Sequence, residues 1–577
     1  MSSEADATAS AAAAAAASSE SSSTNDNMEG RAKRPAPEDT EEDTAKRQKV
    51  PLPPQPAPVF LFATSTDVQA RRGASRDDWC RTQCLTLREM LGMGDYSDDS
   101  MSMGPIDFIF ISNYIVNFEF LLDEVPELLS LPRACVVYGA KEGSENAWRQ
   151  ASTSADGSCS VDFVCRNPAD PPATATNPLA HKIPYGVHHS KFFLVGFSSG
   201  LLRVVIHTAN LRHSDVNNKA QGAYIQNFGR KTPNNTTTTT DFEDSLVQYI
   251  QSYKYNKKFR WDDSNTNAAV VTIAEQLRKY DFSTALAVLV PSIPGYHKIN
   301  NNQNLLGHLK VRQQLARIRQ EKQKGEKQQP IGPIVCQFSS MGSLTNKYLH
   351  RLAYSMNVAR AKGVDDGNTS EDDEQKPINL QLVYPTSDEI CNSLEGYRGG
   401  NSVPGTLKNV SKDFLRPFYR KWSASKSFLS SLALTRADSE APTNPLWKGN
   451  NVPHIKTYFQ LSSNNDDTDG GAMEWFVLTS HNLSKAAWGD VQNSTKHKEK
   501  RLFIRHWELG VLLSPDQLGA QRLVPWSPAA EKQKDVVTVP LPYRHKPLPY
   551  ADADKPWAVD QRYVRLDIFG RRAASDA

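Results

Sequence analysis

The chain has 577 residues, of which 39% are hydrophobic, and its formal net charge is +3. This composition allows several folded domains, but it excludes a uniformly basic protein, so any surface for nucleic acid must be local. No stretch approaches the roughly 18 apolar residues of a membrane-spanning helix, and we expect no membrane association. The seven cysteines lack zinc-type CxxC pairs, which favours a reducing compartment inside the cell.

Residues 1–57 form a low-complexity segment rich in Ala, Ser, Pro and Glu, and we predict that it is a disordered tail. Its first residues include Glu4 and Asp6, which are unlike the basic start of a secretory signal. Two basic clusters, Lys33–Arg34 and Lys46–Lys49, resemble a bipartite nuclear-import signal. The alternative interpretation is ordinary solvated charge. We predict a nuclear protein.

The segment "YGVHHSKFFLV", residues 185–195, has the composition of a buried strand but carries polar residues. In an extended chain His189 and Lys191 point to the same side. A buried lysine is rare unless it is paired, so the strand must deliver this pair to a polar site. The apolar run "LRVVIHTANL" follows and ends in a turn that contains Asn210.

The same pattern occurs a second time, in "PHIKTYF" and "WFVLTSHNLSKAAWG". His454 and Lys456 repeat the His-x-Lys spacing, and Asn482 occupies the position equivalent to Asn210. Asn210 follows His189 by 21 residues and Asn482 follows His454 by 28, the extra length being a polar insertion at 462–471. Two copies of the whole pattern indicate a duplicated half-domain whose halves meet across a pseudo-twofold axis.

Two lysines and two asparagines that converge on one point form a binding site for phosphate oxygens. Such donors stabilise the charge of a five-coordinate phosphoryl transition state. One imidazole can attack phosphorus while the other protonates the leaving oxygen. No paired acidic cluster accompanies the motifs, so we expect neither a metal nor another cofactor.

The two copies resemble the His-x-Lys…Asn motifs of the tyrosyl-DNA phosphodiesterase family, a branch of the phospholipase D superfamily. Phospholipases usually have Asp five residues beyond the lysine, whereas this chain has Gly196 and Leu461. Five further segments, in order from about residue 60 to the end, resemble that family: "FISNYIVNFEFLL", "CQFSSMGSL", "NSLEGY", "NLSKAAWG" and "ELGVLL". The resemblance implies an α/β fold of two similar sandwich half-domains, which we place at residues 58–285 and 286–577, with the active site at their interface.

The resemblance also implies the roles of the site residues. His189 is similar to the nucleophile, and His454 to the general acid that later becomes the base. Lys191, Lys456, Asn210 and Asn482 match the phosphate-binding set. Gln221 and Glu508 match two residues that orient the imidazoles, although the sequence does not say which of them serves which histidine.

Contacts to the substrate follow in the same way, with several alternatives open. The turn of small residues after an apolar strand, and the serines around Asn482, are expected to bind DNA phosphates: Ser340, Met341, Gly342, Ser343, Ser480 and Ser484. Tyr185 is either a base-stacking residue or a core tyrosine. Tyr114 and Trp557 match positions that line the peptide side of the family's groove.

Two kinds of polar segment are assigned to the surface. The basic helix-like segment 305–329 is interpreted as a solvated face, with contact to DNA as the alternative. The segments 231–240, 362–376 and 491–500 are predicted to be loops.

The resemblance predicts a metal-independent DNA-repair enzyme that hydrolyses the phosphodiester between a topoisomerase I tyrosine and a DNA 3′ end, and other 3′ adducts. Its partners would be DNA 3′ ends, single-stranded or duplex, and the topoisomerase-derived peptide, and we expect a monomer. The alternatives are a phospholipid hydrolase of the same fold and a non-catalytic DNA-end-binding protein. The preference among adducts and the activity on 5′ ends stay open.

Overall fold

The computed structural model describes the residues 58–63, 83–93, 103–155, 157–169, 183–232, 239–261, 270–299, 305–322, 332–360, 379–422, 451–462, 471–494 and 499–573. All of them belong to one compact unit that runs from Leu52 to Ala577. The predicted tail and its basic clusters lie outside the described residues. Within the described part, no helix has the length and apolar character needed to cross a membrane.

The first sheet has eight strands, most of them apolar runs. They are β1 (Val59–Phe62), β2 (Cys84–Leu85), β3 (Ile106–Asn117), β4 (Ala134–Glu142), β5 (Val161–Cys165), β6 (Phe192–Phe197), β7 (Leu202–His207) and β9 (Gly222–Phe228). Their order in the sheet is β2-β1-β9-β7-β6-β3-β4-β5. All six residues of β6 are buried, as expected for a central strand that is covered on both faces.

The second sheet has nine strands. They are β10 (Val288–Ser292), β12 (Ile334–Gln337), β13 (Leu380–Val383), β14 (Tyr419–Arg420), β16 (Thr457–Leu461), β17 (Met473–Thr479), β20 (Glu508–Leu513), β21 (Arg522–Pro525) and β22 (Val536–Val539). The main path is β10-β20-β17-β16-β12-β13-β14, and β21 joins β17 to β22.

The two sheets repeat one pattern. The path β1-β9-β7-β6-β3-β4-β5 has the same order as β10-β20-β17-β16-β12-β13-β14. In each path the first four pairs are antiparallel and the last two are parallel. The strand that follows the first His-x-Lys motif, β6, thus has β16 as its counterpart. The predicted duplicated α/β fold is confirmed.

Two smaller sheets complete the strands. One contains β11 (Gly295–Lys298), β19 (Glu499–Ile504) and β18 (Asp490–Ser494) in that order. The segment 491–500, which was predicted to be a loop, contributes its described residues 491–494 and 499–500 to the antiparallel pair of β18 and β19. The other sheet pairs β8 (Lys219–Ala220) in parallel with β15 (Val452–Pro453), and so joins the two halves beside Gln221 and His454.

Most of the described helices are short, with α5 and α7 the longer ones. They are α1 (Leu87–Met90), α2 (Phe118–Glu124), α3 (Asn146–Ala151), α4 (His213–Asn217), α5 (Asp241–Ser252), α6 (Ile273–Leu277), α7 (Gly307–Lys322), α8 (Asn346–Ser355), α9 (Ser387–Cys391), α10 (Leu407–Val410), α11 (Lys485–Trp488) and α12 (Pro528–Glu531). Single 3-10 segments occupy Pro126–Ser130, Gly396–Ser402, Asp413–Phe418 and Asp516–Leu518. Capping boxes fix the starts of α1, α6 and α9.

The interpretation of the basic segment 305–329 as a solvated face is wrong for its described part. Helix α7 lies between two apolar clusters, one containing Leu309 and the other Val311. Lys310 is buried and forms an ion pair with Asp241 at 2.6 Å. The guanidinium of Arg312 lies 4.7 Å from the centre of the Tyr354 ring. Burial of these two charges is tolerated because each of them has a partner.

The core is shared by the two halves. The largest buried apolar cluster contains Phe192 and Val204 from the first sheet together with Phe459 and Leu478 from the second. A boundary between half-domains near residue 285 stays a prediction. Of the other two segments predicted to be loops, 362–376 lies outside the described residues, as does most of 231–240.

Candidate active site

Both His-x-Lys motifs lie just before a strand rather than within one, since β6 begins at Phe192 and β16 at Thr457. The prediction that residues 185–195 form one continuous strand is therefore wrong at its start. The backbone of each motif bonds to the opposite half instead. The His189 amide donates to the Trp507 carbonyl at 2.9 Å, and the His454 amide donates to the Ala220 carbonyl at 3.0 Å.

Each histidine also takes its side-chain partner from the opposite half. His189 Nδ1 lies 2.8 Å from Glu508 Oε2. His454 Nδ1 lies 2.9 Å from Gln221 Nε2 and 3.2 Å from Gln221 Oε1. Gln221 directly precedes β9 and Glu508 begins β20, so the two partners occupy equivalent places in the repeated path. The question that the sequence left open, which residue serves which histidine, is thereby answered.

A carboxylate and an amide have different consequences for the rings that they hold. An ionised carboxylate only accepts hydrogen bonds, so Glu508 fixes the proton of His189 on Nδ1 and leaves Nε2 with a free electron pair. Gln221 is oriented by two other bonds: its Oε1 accepts from the Thr208 hydroxyl at 2.7 Å, and its Nε2 donates to the Asp215 carbonyl at 3.1 Å. An amide both donates and accepts, so Gln221 can hold His454 in its neutral and in its protonated form.

The two motif lysines are fully buried between the histidines. Lys191 Nζ donates to the His189 carbonyl at 2.7 Å, and Lys456 Nζ donates to the His454 carbonyl. Burial lowers the pKa of Lys191 to about 8, while Glu508 and Asp215 oppose the change. Burial, reinforced by Lys191, holds the pKa of Lys456 well below its usual range. A bound phosphate would supply the negative charge needed to balance the two ammonium groups.

The histidines are held in the neutral form. Burial, with Lys191 and Lys456 nearby, places the pKa of both His189 and His454 well below 6.5. Burial also raises the pKa of Glu508, against the lowering effect of His481 and His506. The His189 side chain remains 12% exposed, so a reactant can reach its ring. A neutral imidazole with an accessible electron pair is a nucleophile.

The two asparagines differ in how they are held. Asn482 Oδ1 accepts from the backbone amides of Ser339 at 3.2 Å and Ser340 at 2.9 Å, which leaves its Nδ2 for a ligand. Asn210 Nδ2 donates to the buried carboxylate of Asp215 at 2.6 Å. Only one of its two amide hydrogens is used in that bond, so the other is available to a phosphate oxygen.

The predicted phosphate-binding turn lies beside Asn482. Residues Met341 and Leu483 pair in parallel, and the Gly342 amide donates to the Leu483 carbonyl at 3.1 Å. A side chain at Gly342 would place its Cβ 2.9 Å from the Cβ of Ser484, so this close approach requires glycine. The structure thus brings Ser340, Gly342 and Ser484 together, and their contact with DNA phosphates stays a prediction.

Three other residues that were predicted to contact the substrate have different surroundings from Ser340, Gly342 and Ser484. Met341 is a core residue. The buried Ser480 hydroxyl accepts from the Leu509 amide at 3.0 Å and contributes to lowering the pKa of Glu508, so Ser480 supports the site from within. Ser343 is exposed, and its hydroxyl accepts from Lys412 Nζ at 3.1 Å.

The three aromatic residues that were predicted to contact the substrate lie in three different environments. The Tyr114 ring lies 5.3 Å from the His189 ring and 5.6 Å from Lys191 Nζ, so it lines the site. Tyr185 is 86% exposed, which rules out a core tyrosine, and its backbone φ of 60° is strained for a residue other than glycine. Trp557 is buried in a stack with Tyr397 and Tyr563, away from solvent.

Sequence reasoning missed Asp215, which joins two parts of the site. Its carboxylate holds Asn210, its carbonyl orients Gln221, and its Oδ1 lies 3.4 Å from the Ser402 hydroxyl of the other half. The available signal was its position five residues after Asn210, with no acidic counterpart after Asn482. Within the described part of the chain, no group of three or more His, Cys, Asp or Glu side chains is arranged to hold a metal ion.

A duplicated mixed sheet whose halves each contribute a His-x-Lys…Asn site defines a member of the phospholipase D superfamily. The family model described as "Tyrosyl-DNA phosphodiesterase" matches residues 75–551. The chain belongs to the tyrosyl-DNA phosphodiesterase family, as the motifs indicated.

Individual relatives agree with this assignment. The chain is 29% identical to tyrosyl-DNA phosphodiesterase 1 of Arabidopsis thaliana over 528 residues, covering 86% of this chain and 74% of that protein. It is 29% identical over 392 residues to the Caenorhabditis elegans protein named "Probable tyrosyl-DNA phosphodiesterase", covering 67% of this chain and 71% of that protein. The crystal structure of the yeast enzyme shares the fold, with a TM-score of 0.56 at 15% identity, covering 87% of this chain and 99% of that one.

Proposed function

We propose that this protein hydrolyses the phosphodiester between a tyrosine and a DNA 3′ end through a covalent phosphohistidine at His189. The observation that carries the proposal is the exchange of partners between the halves. Glu508 makes His189 a nucleophile at Nε2, and Gln221 accepts either protonation state of His454. Membership of the tyrosyl-DNA phosphodiesterase family supports the choice of substrate.

In the first step His189 Nε2 attacks phosphorus and the P–O bond to the tyrosine breaks. The new N–P bond makes the imidazole cationic, and the Glu508 carboxylate 2.8 Å from Nδ1 stabilises that charge. His454 gives a proton to the departing phenolate oxygen, after the anionic substrate has raised the pKa of the ring. Lys191, Lys456 and the two asparagines bind the phosphoryl oxygens throughout.

In the second step His454 takes a proton from water, and the hydroxide that forms attacks phosphorus. The N–P bond breaks, its electron pair returns to His189 Nε2, and the product is a DNA 3′-phosphate. Gln221 suits this double role, because its Oε1, 3.2 Å from Nδ1, can accept the Nδ1 hydrogen in both the cationic and the neutral ring, which leaves Nε2 to give and to take the proton. His454 is thus acid first and base second.

The proposal is tested by variants of the two histidines on a 3′-phosphotyrosyl oligonucleotide. A phenol with a pKa of about 10 leaves with little assistance, whereas water is a poor nucleophile without a base. His454→Asn should therefore accumulate a covalent enzyme–DNA species, visible as a shifted band on a denaturing gel. His189→Ala should form none, and neither should the double variant. His213→Ala, at an exposed histidine, is the control. A covalent species in His189→Ala but not in His454→Asn would reverse the roles.

The reaction is proposed to be independent of metal, because the two lysines supply the positive charge that neutralises the phosphoryl group. Activity should survive excess EDTA. Loss of activity on chelation that added Mg²⁺ restores would contradict this mechanism. We also propose that the protein is a nuclear monomer that removes other 3′ adducts, which light scattering and a panel of 3′-blocked oligonucleotides would test.

A further inference from the structure

The sheet of β11, β18 and β19 has two unlike faces. Residues directly opposite each other share a face, so Tyr296 lies beside Phe503, and Lys298 beside Arg501. On the other face Leu502 and Ile504 pack against Leu305, Leu306 and Leu309, and this apolar cluster attaches the sheet to the protein. The face that carries Tyr296, Lys298, Arg501 and Phe503 is called the outer face.

The outer face presents a flat aromatic surface to solvent. The rings of Tyr296 and Phe503 stack with their centres 4.2 Å apart and their planes 17° apart. The Arg505 guanidinium lies 5.0 Å from the centre of the Phe503 ring. Phe503 is covered by this stack, but Tyr296 remains 57% exposed. An exposed ring supported by a second ring and a cation is a platform on which a nucleic-acid base can stack.

The outer face is continuous with the active site on two sides. Arg505 Nη1 donates to the Pro184 carbonyl at 2.6 Å, next to the exposed Tyr185 and five residues before His189. On the other side Lys485 directly follows Ser484, and it pairs with Asp490 of β18 at 3.1 Å. The face therefore begins where the predicted phosphate-binding turn and the predicted base-stacking tyrosine end.

Charge on the outer face and its edge suits a polyanion. Lys298 is 64% exposed, and Arg501 and Arg505 lie on the same side of β19. Glu499 pairs with Arg501 at 2.5 Å and lies 3.9 Å from Lys298, and Asp490 at the edge is balanced by Arg351 at 2.9 Å and by Lys485. On the outer face itself, Lys298, Arg501 and Arg505 thus accompany the carboxylate of Glu499. An excess of lysine and arginine beside stacked aromatic rings is typical of sites for single-stranded nucleic acid.

We infer that the outer face binds the DNA strand several nucleotides from its 3′ end, with a base stacked on Tyr296. This inference rests on the proposed function. Glu508 lies five positions after Phe503, so their Cα atoms are at most about 17 Å apart in an extended chain. At about 3.4 Å per stacked nucleotide, a strand whose 3′ phosphate lies at His189 would reach Tyr296 within about its first five nucleotides.

The test compares two 3′-phosphotyrosyl substrates, a 4-mer and a 14-mer of single-stranded DNA. Tyr296→Leu keeps an apolar cover on Phe503 but removes the flat ring. It should lower the ratio of kcat/KM for the 14-mer to that for the 4-mer about tenfold, whereas Tyr296→Phe should leave the ratio at the wild-type value. Arg522→Ala, on β21, is the control for substitution on a remote strand.

Salt dependence gives a second measurement. Lys298→Ala should make the slope of log kcat/KM against log salt concentration shallower by about 0.7 for the 14-mer. Equal loss on the two lengths in Tyr296→Leu, or an unchanged slope in Lys298→Ala, would overturn the inference, and so would dependence on the length of the peptide instead of the DNA. If the wild-type enzyme cleaves neither substrate, the proposed function fails, which is a different result.

Discussion

The pair of His189 and Glu508 gives the sharpest prediction about the chemistry. Glu508→Gln preserves the size and hydrogen-bonding reach of the side chain but removes the charge that faces Nδ1 at 2.8 Å. That charge has its largest effect when the imidazole becomes cationic, which happens only after attack on phosphorus. The variant should therefore bind substrate with a similar affinity and form the covalent species much more slowly.

The distance sets the magnitude. The centres of a carboxylate and an imidazolium that are bonded in this way lie about 4 Å apart, and the effective dielectric constant of such a site is about 20. The Coulomb energy lost is then about 4 kcal/mol, which corresponds to about a thousandfold lower rate of the first step. In the variant, a hydrogen bond between the amide and the neutral ring stabilises the ground state. It does not replace the charge that stabilises the cationic ring after attack, so the predicted loss of rate is not reduced.

Rapid-quench measurement of tyrosine release under single-turnover conditions would report this step alone. Stability should behave differently, because burial raises the pKa of Glu508. The ionised carboxyl therefore destabilises the folded protein, and this destabilisation grows as pH rises from the pKa of Glu508 in the unfolded state to its pKa in the folded state. The neutral amide of the variant has no such destabilising effect at pH 7. Tm should not fall. Glu243→Gln, a buried carboxylate paired with Lys231 far from the site, should lower Tm and leave the rate unchanged. A rate for Glu508→Gln within tenfold of wild type would refute the argument.

Three further predictions concern the surroundings of the two histidines and the N-terminal tail. Because the pKa of Lys191 is about 8 and its ammonium form binds phosphate, kcat/KM should fall as pH rises through about 8. Asp215 raises that pKa, so Asp215→Asn should move the fall to lower pH, and a uniform loss at every pH would indicate a purely structural role. Gly342→Ala should lower kcat/KM by displacing the turn at Ser484, whereas Gly229→Ala, where an added Cβ meets nothing within 4 Å, should not. Deleting residues 1–57 should leave turnover on a short oligonucleotide nearly unchanged and abolish nuclear accumulation, and a large fall in turnover would assign the tail to the catalytic unit.

The parts of the site that repeat along the chain were predictable from sequence. His189 and His454 each precede an apolar strand, and each is followed by a second strand and an asparagine, so the spacing alone indicated the duplication. The contacts between the halves were not predictable, because Gln221 and Glu508 are far in sequence from the rings that they hold. The burial of Lys310 was missed because a lysine indicates solvent unless its partner, here Asp241, is known. The pairing of β18 with β19 was missed because most of the outer residues of these strands are as polar as those of a loop.

The exchange of partners explains how a duplicated fold can support two different chemical roles. The repeated strands place both imidazoles in equivalent positions, and symmetry alone would give them equal reactivity. The equivalence ends at the positions of Glu508 and Gln221, where one half supplies a carboxylate and the other an amide. A carboxylate fixes one tautomer and stabilises a cationic ring, which a nucleophile needs. A neutral amide orients the ring without adding a charge that would hold the Nε2 proton, so the ring can give that proton as an acid and take one back as a base. The residue that each half presents to the other thus decides which histidine attacks phosphorus and which one transfers the proton.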